Sequence, residues 1–180
     1  MIEVFHELAD VHGARRGGAF AIGNFDGVHK GHAAVIQAAA AAARARGVVL
    51  GVLTFEPHPR SVLRPTDEPF RLGDWRSKAR ALEALGVDFM AICNFSAEVA
   101  GLSAEDFVQS ILSEALGVLH VAVGEDFRFG KGRAGDTPFL VEAGHAQGFG
   151  VTSVPAMAGP DGVVFSSSAI RKALRAGEVG

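Results

Sequence analysis

The 180-residue sequence holds a single cysteine, Cys93. That excludes an internal disulfide framework and suits a reducing compartment. Cys93 closes the apolar run Phe89-Met90-Ala91-Ile92-Cys93, which reads as a small buried hydrophobe rather than a nucleophile. No apolar run approaches a bilayer span. Met1 to Asp10 lacks the basic start and apolar core of a signal peptide. These absences predict a cytoplasmic chain with no membrane partner. An excess of one charge is missing too. The 17 basic and 20 acidic side chains leave a net charge of -3, which gives no electrostatic case for nucleic acid or a membrane surface. Any phosphate site must therefore be local. No G-x-x-x-x-G-K-[ST] loop and no G-x-S-x-G elbow is present, so neither P-loop phosphoryl transfer nor an elbow serine nucleophile is supported. No internal repeat or clear linker divides the chain. At this length one domain with a full core is the simplest reading, and 48% hydrophobic residues argue against disorder.

What is present centres on Ala19 to His32. A short apolar run breaks into a loop, Gly23-Asn24-Phe25-Asp26-Gly27-Val28, and ends on His29-Lys30-Gly31-His32. An alanine-rich stretch follows to Arg46, with Gly47 as its stop. Strand, loop and helix start make a ready anion site, because the first helical N–H groups lack partners and the dipole favours negative charge there. Histidines three apart share one face of a helix. Gly31, without a Cβ, is expected to let a phosphate approach the backbone.

Apolar runs at Phe20–Ile22, Val48–Phe55, Val87–Cys93, Val118–Val123 and Val151–Val154 read as buried parallel strands. Met1 to Leu8 is a further short leading strand. Helical patterns fill the gaps: Asp74 to Leu85, a Ser103-capped helix ending at Gly117, Thr137 to Gln147 with Pro138 in its first turn, and Ser166 to about Ala176. The prolines of Glu56-Pro57-His58-Pro59-Arg60 are read as forbidding helix and fixing an extended loop. A long loop is expected from Ser61 to Arg71, with prolines at 65 and 69. Gly159-Pro160-Asp161-Gly162 signals a turn, with Val163 to Phe165 returning as a hairpin arm. The alternation predicts an α/β class: a Rossmann-like three-layer α/β/α sandwich around a mainly parallel five-stranded sheet. Ligands bind such sheets where strand order reverses, between the first and fourth strands in the common order. A glycine-rich loop follows each of those two here.

The second of these, Gly124 to Asp136, contains Gly130-Lys131-Gly132-Arg133-Ala134-Gly135. It fits G-x-G-x-x-G literally but lies several residues past its strand, with no acid at a following strand end, so it does not support a dinucleotide site. His58 with His29 and His32 lacks a further ligand set, and no protein metal site is expected. Ser166 to Ser168 reads as a helix cap, lifted by Arg171, which with the hydroxyls can clamp a phosphate.

Gly23 to His32 resembles the H-x-G-H motif of the nucleotidyltransferase superfamily, in the extended form of prokaryotic FAD synthetases. Four further blocks match that family in order: Thr54 to Pro59, Leu102 to Phe107, Gly124 to Gly130 and Ser166 to Arg171. The resemblance covers nearly the whole chain, and implies FMN adenylyltransferase activity with ATP and FMN as substrates and Mg2+ accompanying the ATP. By similarity His29, His32, Ser167, Ser168 and Arg171 hold the ATP phosphates, with His29, His32, Ser167 and Arg171 as the catalytic group. Gly23, Asn24, Phe25 and Asp26 line the nucleotide. Phe55, Pro57, Pro59, Asp126 and Phe129 border the flavin, and Arg133 meets a phosphate from a flap. Ser168 stands where the family usually has threonine. The riboflavin kinase domain that normally follows is missing from residues 1–180, so no riboflavin phosphorylation is expected. Two other readings remain: a flavin- or nucleotide-binding module without turnover, and an H-x-G-H nucleotidyltransferase with another acceptor.

Overall fold

The computed structural model describes residues 2–64, 70–160 and 162–178. Six strands are described: β1 (Glu3–Phe5), β2 (Ala19–Ile22), β3 (Leu50–Glu56), β4 (Phe89–Asn94), β5 (His120–Gly124) and β6 (Gly150–Val154). Their spatial order is β1-β4-β3-β2-β5-β6, with every pairing parallel. The five expected strands are all there. The sixth is the leading segment, an edge strand of three residues beside β4.

Side-chain alternation sorts the core into two layers. Phe20 and Ile22 of β2 join Leu53, Phe89 and Val121 under α5 and α6 (Thr137–Gln147). Helix α5 begins at Ala104–Asp106 and continues as a π-helical segment, Phe107–Ala115. Ala19 and Ala21 face the other way, with Val52, Met90 and Ala122, under α1 (Lys30–Arg46) and α3 (Trp75–Ala84). Small residues on both partners let α1 lie close to the sheet: Ala39 is fully buried and Ala43 nearly so. Gly47 closes α1 in the left-handed region, its N–H reaching the carbonyls of Ala43 and Arg44. Cys93 is buried as expected, and burial pushes its thiol up to about 11.

One expectation needs correction. Pro59 does not exclude helix: it opens the short helix α2 (Pro59–Leu63), where a first-turn proline needs no N–H partner. His58 caps it, accepting the Arg60 N–H on Nδ1 at 3.1 Å. Val163 to Phe165 is a hairpin arm, as expected, without forming a regular strand. It returns on residues 157–159 through single contacts, with Val164 bridging Ala158 and the Phe165 N–H donating to the Met157 carbonyl. A second short helix, α4 (Ala97–Gly101), carries no sequence expectation; Ser96 caps it by accepting the Val99 N–H. The prolines at 65 and 69 and Asp161 of the expected turn lie outside the described residues.

Strand order reverses between β2 and β5. The chain steps from β2 to β3 to β4 on one side, then crosses to lay β5 on the other. The carboxyl ends of β2 and β5 thus open a crevice into which both glycine-rich loops run. The last helix, α7 (Ser167–Ala176), packs against the first of these loops.

Candidate active site

His29 is the N-cap of α1 and His32 its third residue. The pair forms a reciprocal capping box. The His32 N–H donates to Nδ1 of His29 at 3.3 Å, and the His29 N–H donates to Nδ1 of His32 at 3.4 Å. Such boxes ordinarily join Ser or Thr to Glu or Gln; here two imidazoles do it, stacked 3.7 Å apart. The consequence is chemical. A ring nitrogen that accepts from backbone carries no proton, so each neutral ring keeps its proton on Nε2. Burial holds His29 below the ordinary imidazole range. His32 is pushed down to about 3, first by burial and then by the charges of His29 and Lys78. Both rings are therefore neutral donors near pH 7, at a helix start with a positive dipole end.

Gly31 also serves this pair within the fold. A Cβ there would stand 3.1 Å from His29 ring atoms and 3.1 Å from the Phe165 carbonyl oxygen. The space left open by glycine is occupied by the ring and by the approach to α7. Phe25, buried at φ 48, brings its ring to 5.0 Å from that of His32. A positive φ is costly outside glycine. Among the described residues the other such non-glycine is Arg133, at φ 60 in the second glycine-rich loop.

Asp26 joins the loop to the end of the chain. Its Oδ1 accepts the Leu72 N–H at 2.9 Å, and its Oδ2 pairs with a terminal nitrogen of Arg171 at 2.5 Å. Ser167 donates to the Asp26 carbonyl at 2.7 Å. Arg171 also donates through Nε to the Phe70 carbonyl and lies over the Phe70 ring. Arg171 is thus beside the histidine loop, engaged by a carboxylate rather than open. Ser166 supplies the cap of α7, accepting the Ala169 N–H, while Ser168 is exposed.

Two cavities flank residues 25–30. The larger, about 460 Å³, is lined by Val28, His29, Val164, Phe165, Ser166 and Ile170 among others. The smaller, about 140 Å³, lies on the side of α3 and includes Asp26, Leu72, Asp74 and Lys78.

Phe55 and Phe129 lie on the other face of the sheet, with Phe107 between them at 6.2 and 5.2 Å. Each is 6% exposed, so they are core residues offering edges rather than an open wall. Pro57, Asp126 and Arg133 are exposed and Pro59 half-buried around them. The structure brings Gly23 to Asp26, both histidines, Ser167 and Arg171 into one cluster, and leaves the aromatic group beside it.

Residues without a role in the sequence reading complete the surroundings. Lys78 is buried, donating to Thr54 Oγ1 and Glu56 Oε1, both at 2.9 Å. Arg71 pairs with the same carboxylate at 2.8 Å. Burial lowers Lys78 from its ordinary value, with Glu56 opposing. A signal existed: Lys78 stands on the buried stripe of α3 with Leu82, where lysine is out of place. His58, edge-on to Phe70 at 5.0 Å, is pushed down to about 4, chiefly by burial, with Asp26 opposing and Arg171 adding to it.

Comparison with known proteins completes the picture. A family model described as FAD synthetase matches residues 12–169. The bifunctional riboflavin kinase/FMN adenylyltransferase of Escherichia coli (strain K12) is 39% identical over 174 residues, covering 97% of this chain and 55% of that protein. Its namesake in Pseudomonas fluorescens is 41% identical over 182 residues, covering 99% and 56%. The chain thus spans just over half the length of these relatives. A crystal structure described as a macrolide-efflux protein from Streptococcus pneumoniae superposes with a TM-score of 0.85 at 26% identity, covering 99% of this chain and 59% of that one. A pantoate-beta-alanine ligase from Francisella tularensis gives 0.63 at 14%, covering 94% and 73%, a likeness of fold. Among the described residues no helix is long and apolar enough to cross a membrane.

Proposed function

The chain belongs to the FAD synthetase family, and from that premise we propose that it transfers the adenylyl group of ATP to FMN. The FMN phosphate oxygen attacks the α-phosphorus. The bond to the bridging oxygen of the β-phosphate breaks, and FAD and pyrophosphate leave. The observation that carries this reading is the reciprocal cap of His29 and His32. It leaves two fixed Nε2–H donors at a helix start, the arrangement needed for charge growing on α-phosphate oxygens. The nucleophile is already an anion, so no general base is required, and the rings act by donation and position.

In this reading the base and ribose take the cavity of about 460 Å³ beside His29, with residues Gly23 to Asp26 in the loop that leads up to its wall at Gly27 and Val28. Ser167, Ser168 and Arg171 attend the outer phosphates; Arg171 exchanges Asp26 for phosphate as it does so. FMN lies over the carboxyl ends of β3 and β5, toward Pro57, Pro59, Asp126 and the edges of Phe55 and Phe129, with Arg133 at hand for its phosphate. Mg2+ would come with the triphosphate. Among the described residues no group of three or more His, Cys, Asp or Glu could hold an ion, and the Asp26 carboxylate is taken by Arg171 and the Leu72 N–H.

The test is direct. The protein is incubated with FMN, ATP and Mg2+, and FAD and pyrophosphate are measured, with riboflavin and nicotinamide mononucleotide as alternative acceptors. FAD from FMN alone is the expected result. No FAD above an enzyme-free blank overturns the proposal, and tight nucleotide binding without pyrophosphate would identify a binding module instead.

A further inference from the structure

Buried lysines are rare unless their charge is matched, which makes the surroundings of Lys78 worth following. Glu56 matches it, but Glu56 does not need it. Arg71 contacts both oxygens of that carboxylate, at 2.9 and 2.8 Å. Its second partner is more telling. An ammonium only donates, so at the 2.9 Å contact Thr54 Oγ1 must be the acceptor. The single hydroxyl proton of Thr54 is thereby directed elsewhere, and it points to the Asn24 carbonyl at 3.1 Å. Thr54 is fully buried, so no water competes for that proton. Asn24 lies in the loop that leads to the histidine cap. The same lysine lines the cavity of about 140 Å³ whose other wall is Phe25, Asp26 and Val28. Arg71, next in the chain to Leu72, ties Glu56 to the segment that supplies the Leu72 N–H to Asp26.

We infer that Lys78, acting through Thr54, is a positioning residue for the nucleotide loop. It fixes the Thr54 hydroxyl as donor to the Asn24 carbonyl and thereby sets the turn that delivers Asp26 and His29. This rests on the functional reading above, because the loop's task is to meet the nucleotide. It adds that the loop's geometry is imposed from beneath, by a cation that does not itself reach the ligand.

The test uses Thr54→Val, Thr54→Ser and Lys78→Met in the full chain. It reads Kd for a non-hydrolysable ATP analogue by calorimetry, Tm, and kcat and KM for FAD formation. Thr54→Val, which removes the directed hydroxyl without changing charge, should weaken the analogue by about tenfold, one hydrogen bond's worth. Thr54→Ser, which restores the hydroxyl, should bind as wild type does. Lys78→Met leaves Glu56 with Arg71, and should weaken the analogue at least as much as Thr54→Val. If Lys78→Met does not fold, the Thr54 pair carries the test alone. Unchanged Kd in Thr54→Val overturns the inference. So does equal weakening by Val and Ser in step with lost Tm, since that is the mark of a packing role. Wild type that binds the analogue but makes no FAD, with Thr54→Val weakened and Thr54→Ser restored, would sustain the positioning role while removing the transferase reading.

Discussion

The two glycine-rich loops follow neighbouring strands and open into the same crevice, yet they begin their helices with opposite chemistry. The first runs from β2 into α1, whose cap is a pair of neutral imidazoles that keep their protons on Nε2. The second runs from β5 into α6, whose cap is the carboxylate of Asp136, accepting the Phe139 N–H at 2.9 Å and paired with Arg128 at 3.3 Å. Both caps satisfy an N–H of the first helical turn. They differ in what they leave for a ligand: α6 begins with a negative charge of its own, while α1 begins with donors. Glycine content and basic side chains, richer in the second loop, do not by themselves set what a helix start offers; the chemistry of the capping group does.

The sharpest way to break this contrast is to copy one cap onto the other. His29→Asp preserves a good N-cap but places an anion where phosphate charge develops. FAD formation should fall by on the order of 10³-fold or more, against roughly 10²-fold for His29→Ala or His32→Ala, while the Asp variant keeps its Tm. Equal activity of the Asp variant and wild type in a steady-state assay would dissolve the distinction. Next, Gly31→Ala presses a methyl group against the His29 ring and the Phe165 carbonyl, each 3.1 Å away; turnover should drop by about tenfold through misplacement, visible in kcat more than in helix content.

Acid exposes the same cap. His32 protonates at about 3 when folded but near 6.5 when unfolded. Below 6.5 the unfolded chain binds the proton that the folded one refuses. Stability is therefore complete above 6.5 and declines as pH falls toward 3, by at most about 1.4 kcal/mol per unit for this ring. Urea melts at pH 6.5 and 4.5 should show that decline, and His32→Gln should reduce it. The smallest effect belongs to the other loop: Asp136→Ala should cost about 1 kcal/mol of stability in the same melts and leave the rate of FAD formation where it was.

Much of this architecture was legible because it is local. The β2 run, the alanine helix and its Gly47 stop, and the serine caps depend on residues a few positions apart, and each stands where the pattern places it. The histidine spacing located the cap, though not that the two rings would cap each other. What failed has the same root. Pro59 was read for the bond it cannot make, when at a helix start that bond is not needed. Gly31 has a role within the fold that spacing does not announce: a Cβ there would meet the ring two residues back. The Lys78–Thr54–Asn24 chain joins three elements from residues 24 to 54 positions apart, and nothing in periodicity marks it beyond a lysine on a buried stripe.

The bonds from α7 to Asp26 span 141 and 145 positions. The six described strands are complete by Val154, so the sheet can assemble on a growing chain before α7 is there to join the loop. A helix made late is then fastened over a loop made early. A nascent chain halted before Ser167 would hold a near-finished core whose histidine loop lacks both of these ties.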